Sequence, residues 1–190
     1  MSFQFPDFNI YSDANLSKKC RMIGLDKFHL ATNHVLQLPY RRNSSKEDLT
    51  LVLTEGCGTC STKHAALAQL ALENGFLDLK LILGIYQMNE ANTSGVGKVL
   101  DAHGLDYIPE AHVYLKYKNN RIDITRTVES EASAFDVLLL EKEIQPNQIG
   151  DFKVTLHRDF LNQWRKEQGL EMSLEALWKI REDCIHALEK

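Results

Sequence analysis

The chain predicts an α+β domain, with helices towards both ends and an antiparallel sheet between them. Three observations carry this. Apolar residues recur at helical spacing near both termini. Leu79, Leu81, Leu83 and Ile85 alternate along 77–88 against Lys80, Ile82, Gly84 and Tyr86, as in a strand. Two β-prone stretches, 111–117 and 121–125, flank Lys118-Asn119-Asn120, whose asparagines suit the positive φ angles of a tight hairpin. Helices, then strands, then helices give α+β order.

Taken in order, the first dozen residues are aromatic and polar without periodicity and predict an extended arm over the surface. Residues 15–38 read as helix, broken near Gly24, with Phe28, Leu30, Ala31, Val35 and Leu38 at helical spacing and Pro39 as the stop. Residues 41–47 are a charged loop. The run 49–54 is β-prone, with a helical turn as its alternative. A strong helix follows the glycine turn and stops at Asn74-Gly75. After the 77–88 strand come a polar loop at 89–97, long enough to border a pocket, and a short helix over 96–103. Residues 135–140 fit a strand or a short helix. Helices at 158–168 and 173–188 close the chain, the second with Ser173 as N-cap and an apolar stripe through Leu177, Trp178 and Cys184.

Without repeats, linkers or low-complexity tracts, the 190 residues are expected to form one domain over 1–190. A net charge of -4 with scattered Lys and Arg argues against nucleic acid as a partner. No run reaches the roughly 20 apolar residues of a membrane span, so no membrane is expected. The N-terminus lacks a basic start followed by an apolar block, and four cysteines do not make a disulfide scaffold. The expected setting is a reducing cytoplasm, where a close cysteine pair points to catalysis, redox chemistry or metal.

The chemistry centres on Cys60, in the run Glu55-Gly-Cys-Gly-Thr-Cys-Ser-Thr-Lys-His64. Cys60 falls where the glycine loop ends and the helix begins, and a helix N-terminus stabilises a thiolate through its unbonded N–H groups and dipole. Gly56 and Gly58 allow a sharp entry and close approach of a substrate, Gly58 and Thr59 are candidate substrate contacts, and the Cys60 N–H can serve an oxyanion. The nucleophile needs a base, and the base an orienting group. The hairpin supplies both: His112 opens one strand and Asp123 lies on its partner at nearly the same depth. Singly, each has an ordinary reading: a packed thiol, a half-buried strand histidine, a surface acid. Their order and spacing together favour a triad.

Gly58-Thr59-Cys60, a helix to Gly75, a strand bearing Gly84-Ile85-Tyr86, then His112 and Asp123 resemble the transglutaminase-like superfamily over 56–125. The resemblance implies a papain-like, transglutaminase-like cysteine fold and a Cys60–His112–Asp123 triad. It implies acyl transfer or hydrolysis of a peptide, protein or small amide substrate, with no cofactor. Tyr114 stands where that family often has Trp.

Two rivals use the same residues. Cys57-Gly58-Thr59-Cys60 is also a C-x-x-C motif resembling thioredoxin-like oxidoreductases, with Ile108-Pro109 imitating their proline approach. That reading leaves His112 and Asp123 without a role. A metal site would draw on Cys57, Cys60 and His64, but no second ligand pair stands at zinc spacing. A non-catalytic relative that keeps the fold is the remaining alternative. His64, one turn after Cys60, is expected to line the pocket or cap loop carbonyls. Lys63 is expected to be a solvated neighbour of the thiol, and Glu110 a rim residue that contacts substrate or an ordinary surface acid.

Overall fold

A computed structural model describes residues 5–125 and 137–188. The elements run α1 (Asn15–Met22), α2 (Phe28–Gln37), α3 (Leu51–Thr54), α4 (Cys60–Glu73), β1 (Leu79–Met88), α5 (Gly97–Asp101), β2 (Ile108–Tyr117), β3 (Asn120–Ile122), β4 (Leu138–Ile144), a 3-10 turn (Pro146–Gln148), α6 (Asp151–Glu167) and α7 (Leu174–Ala187). The four strands form one antiparallel sheet in the order β3-β2-β1-β4, with helices towards both ends of the chain. In the β2–β3 hairpin Leu115 faces Ile122 and Tyr117 faces Asn120. The positive φ of the turn falls on Lys118 rather than on an asparagine.

The backbone groups into two compact units. The first takes Met1–Leu83, Val113–Thr127 and Lys142–Gly150; the second takes Gly84–His112, Val128–Glu141 and Asp151–Lys190.

The first unit is organised by α4. Its residues are apolar on nearly every side, and Ala65, Ala66, Leu67, Ala68, Leu70 and Ala71 are all buried. Short alanine side chains let α1, α2, α3 and the 3-10 turn pack against one helix. The helix stops as expected: Gly75 takes φ +74°, its N–H bonds to the Leu72 carbonyl, and the Phe76 N–H reaches back to Ala71. That is a Schellman ending, which needs a residue at ease with positive φ.

The N-terminal arm is extended but is not a surface strap. Phe8 stacks on Phe28 at 4.6 Å and on Phe76 at 5.1 Å, and Ile10 is buried. The Asn74 carboxamide accepts from the Tyr11 and Ser12 N–H groups. Three aromatic rings remove more apolar surface from water than an exposed arm would.

Residues 49–54 form the helical turn α3, not a strand. Asp48 Oδ1 accepts from the N–H and hydroxyl of Thr50, and the Thr54 hydroxyl bonds back to the Thr50 carbonyl. These local bonds offer the backbone an alternative to a sheet ladder. The sequence alternation along β1 is not an alternation of burial either: Ile82 and Tyr86 are buried along with Leu81, Leu83 and Ile85. The strand has neighbours on both edges and is covered on both faces.

The second unit has its own core, built on Met88, Val96, Leu100, Ile108, Leu161, Trp164, Leu177, Ile180 and Cys184. α7 packs on α5 and α6, and the Ser173 hydroxyl caps it by accepting from the Ala176 N–H. α6 begins at Asp151, seven residues before the sequence reading starts it at Arg158. Val154 and Thr155 weaken helical propensity there, and packing overrides it. The loop after β1 closes on itself. Glu90 accepts from the Gly95 and Gly97 N–H groups and the Ser94 hydroxyl, so its polar groups are spent within the loop. The element expected at 135–140 is the strand β4; residues 135 and 136 lie outside the described residues.

Candidate functional site

The approach to Cys60 is built by two chain segments that pair. The Gly58 N–H donates to the Pro39 carbonyl, and the Gly58 carbonyl accepts from the Arg41 N–H, both at 3.2 Å. The Asn43 side-chain amide donates to the Cys57 carbonyl and to Glu55, and Glu55 also accepts from Ser44. The loop 41–47 is thereby tied to the turn that enters α4.

Gly58 has a packing reason. A Cβ there would lie 2.9 Å from Lys63 Cγ and 3.0 Å from Thr62 Oγ1. The close approach that the sequence assigns to a substrate is thus made, on that side, by the lysine stem. Thr59 is the N-cap: its hydroxyl accepts from the Thr62 N–H while the Thr62 hydroxyl accepts from the Thr59 N–H. Its hydroxyl is engaged in this reciprocal cap, in which threonine takes the place usually held by Glu or Gln.

Cys60 is the first residue of this 14-residue helix, is 7% exposed, and has its sulfur 3.9 Å from the Ser61 hydroxyl. The other cysteines are buried as well. Burial, with Glu73 nearby, pushes the Cys20 thiol up to about 12. Burial, with Glu110 and Asp183 nearby, pushes Cys184 up to about 11. Cys57 is fully enclosed, with the Asn43 amide 3.7 Å from its sulfur. Hydrogen bonding to Cys57 raises the Arg41 guanidinium above its ordinary value.

Lys63 and His64 are where the structure departs most from the sequence reading. Lys63 is 1% exposed rather than solvated. Its ammonium donates to the Leu38 carbonyl at 2.5 Å and to the Thr125 carbonyl at 3.4 Å. Burial lowers its pKa, against the opposing charges of Asp123 and Cys57.

His64 is fully buried. Its Nδ1 lies 2.7 Å from the Cys60 carbonyl, and its Nε2 accepts from the Ile124 N–H at 2.8 Å. A carbonyl only accepts and a backbone N–H only donates, so the proton is on Nδ1. Nε2 also lies 3.5 Å from Asp123 Oδ1, but in this tautomer both atoms are acceptors and the contact is not an ion pair. The expected substrate contact of His64 is therefore corrected: with both nitrogens engaged and the ring enclosed, none is left for a substrate. Of its two expected roles, carbonyl capping is the one observed.

Asp123 directly follows β3. Its Oδ1 accepts from the Thr125 N–H at 2.8 Å and from the Thr125 hydroxyl at 2.5 Å, and its side chain is 28% exposed. The first unit thus brings together Gly58, Thr59, Cys60, His64 and Asp123.

His112 and Glu110 belong to the second unit. His112 is half-buried on β2, with its ring edge-on to Tyr86 at 6.2 Å. Glu110 is neither a rim residue nor a surface acid. It is 6% exposed and binds Arg181 through both oxygens, at 2.5 and 2.6 Å. Burial works against its ionisation, but the charge and hydrogen bonds of Arg181 outweigh it and hold the carboxyl below its ordinary range.

In the C-x-x-C motif it is the second cysteine, Cys60, that starts the helix. Among the described residues no cluster of three or more His, Cys, Asp or Glu is placed to hold a metal. Among them, too, no helix is long and apolar enough to cross a membrane. Comparison with family models, curated proteins and solved structures finds no match for this chain.

Proposed function

We propose that this chain is a transglutaminase-like, papain-like cysteine enzyme that transfers or hydrolyses an acyl group, with Cys60, His112 and Asp123 as its triad. Cys60 sulfur attacks the carbonyl carbon of an amide or thioester while His112 takes the thiol proton. The tetrahedral oxyanion draws on the Cys60 N–H at the helix start. Collapse forms the thioester, breaks the bond to the amine or thiol, and returns the proton from His112 to that leaving group. Water or an amine then attacks the thioester and releases Cys60. Asp123 orients His112.

The observation that supports this reading best is the setting of Cys60. The thiol occupies the first position of a long helix fixed by a reciprocal cap, and the helix's next turn is bonded to the segment carrying Asp123. An inert packed cysteine requires neither.

The test is the rate of iodoacetamide labelling at Cys60 against pH, in a Cys57→Ser background. The expected profile keeps a fast limb near neutral pH that His112→Ala removes, with a loss of about tenfold or more at pH 7. Identical profiles with and without His112 would refute the triad.

A further inference from the structure

The pairing of His64 with two backbone groups gives this residue a task within that triad. We infer that His64 is a positioning residue, held as the neutral Nδ1–H tautomer, that fixes the distance between Cys60 and Asp123. The inference rests on the acyl-transfer reading for its purpose, and on geometry for its mechanism.

Three features of the first unit carry it. The first is that His64 bridges two backbone atoms rather than two side chains: the carbonyl of Cys60 on one side and the N–H of Ile124, next to Asp123, on the other. The two bonded atoms belong to the nucleophile itself and to the immediate neighbour of the acid. A ring of fixed length between them sets their spacing more firmly than a flexible chain would.

The second feature is that Lys63 acts on the same segment. Its ammonium reaches the Thr125 carbonyl, so consecutive side chains of α4 hold 124 and 125 from one helical turn. Asp123 is then fixed from both sides, because its own carboxylate accepts from the Thr125 N–H and hydroxyl. The third is the cost. A lysine and a histidine are buried beside each other, directly before a stretch of the helix whose buried residues are alanine and leucine. Apolar residues would fill those positions without the penalty of burying polar groups.

Protonating Nε2 or moving the proton from Nδ1 would set two donors against each other at Ile124 or two acceptors at Cys60. The tautomer is therefore part of the claim. His64 acts through the chain path of Cys60 and Asp123.

Two measurements test the inference on the full chain. Imidazole nitrogens observed by NMR with 15N-labelled histidine, assigned with His64→Gln, are expected to show Nδ1 protonated and Nε2 a bare acceptor at neutral pH. A proton on Nε2 overturns the inference. In the second, iodoacetamide labelling of Cys60 at pH 7 is expected to fall about tenfold or more in His64→Phe, which keeps ring volume and loses both bonds. His64→Asn, which can still donate to the Cys60 carbonyl, and His64→Gln, which can still accept from Ile124, are expected to fall between. A wild-type rate and pH profile in His64→Phe overturn the positioning role. A His64 dependence without any His112 dependence would instead overturn the triad.

Discussion

Two buried polar assemblies, one in each unit, handle the same physical problem in opposite ways. Beside Cys60, Lys63 and His64 bond to backbone atoms of Leu38, Cys60, Ile124 and Thr125. In the second unit, Glu110 and Arg181 bond to each other, with the Arg181 guanidinium 5.4 Å from the Trp178 ring centre. A side-chain pair cancels its own charge and can be exchanged for apolar residues without redirecting the chain. Side chains bonded to backbone fix where the chain runs. The difference assigns stability to Glu110–Arg181 and geometry to Lys63–His64.

The sharpest way to break the comparison is at Arg181. Arg181→Met strands a buried carboxylate and is expected to destabilise by about 3–5 kcal/mol, read by denaturant unfolding. Adding Glu110→Gln should recover most of that loss. The pH dependence carries a sign. Glu110 is held below its unfolded value of about 4.3, so its contribution is complete above that value and is lost as pH falls through the depressed folded one. The stability gap between wild type and Arg181→Met should therefore be widest near neutrality and shrink in acid. A gap that is the same at both pH values would mean that the ion pair is not its source.

A smaller effect is expected at Gly58. Gly58→Ala presses a methyl against Lys63 and Thr62, which are anchored by hydrogen bonds at their far ends. Overpacking of this kind costs about 1–3 kcal/mol. Unlike the change at Arg181, it should also slow iodoacetamide labelling of Cys60, because the displaced side chains form the first turn of α4. Loss of stability with unchanged Cys60 labelling would erase the distinction between the two assemblies.

The sequence disclosed whatever is decided by local chemistry. Asn74-Gly75 stops α4, Ser173 starts α7, and the 118–120 turn joins an antiparallel pair, each because a few adjacent residues satisfy their own backbone. It misled where a local pattern met a competing local bond, as at 49–54, where Asp48 and the threonines turn a β-prone run into a helical one. It was silent where partners are distant in the chain. Nothing near Glu110 announces Arg181, 71 residues later.

Lys63 and His64 were legible in part. Charged and aromatic polar residues in the first turn of a helix read as solvated by default, and that default failed. The signal lay in the rest of the helix. From Ala65 onward Gln69 and Glu73 are the only polar residues of α4, and a helix so largely apolar takes the residues that begin it into the core. Cys60 was found because its helix start is written in glycine and threonine. The device that holds it against the Asp123 segment was not, because its bonds end on backbone atoms that carry no residue type.

The central claim, that Cys60 is an acyl-accepting nucleophile, is tested most directly by intact-mass measurement after mixing the protein with a simple alkyl thioester. The expected result is one acyl group per chain, mapped to Cys60, absent in Cys60→Ser and slow to form in His112→Ala. Acylation spread over other side chains, or equally fast at Cys60 without His112, would contradict it.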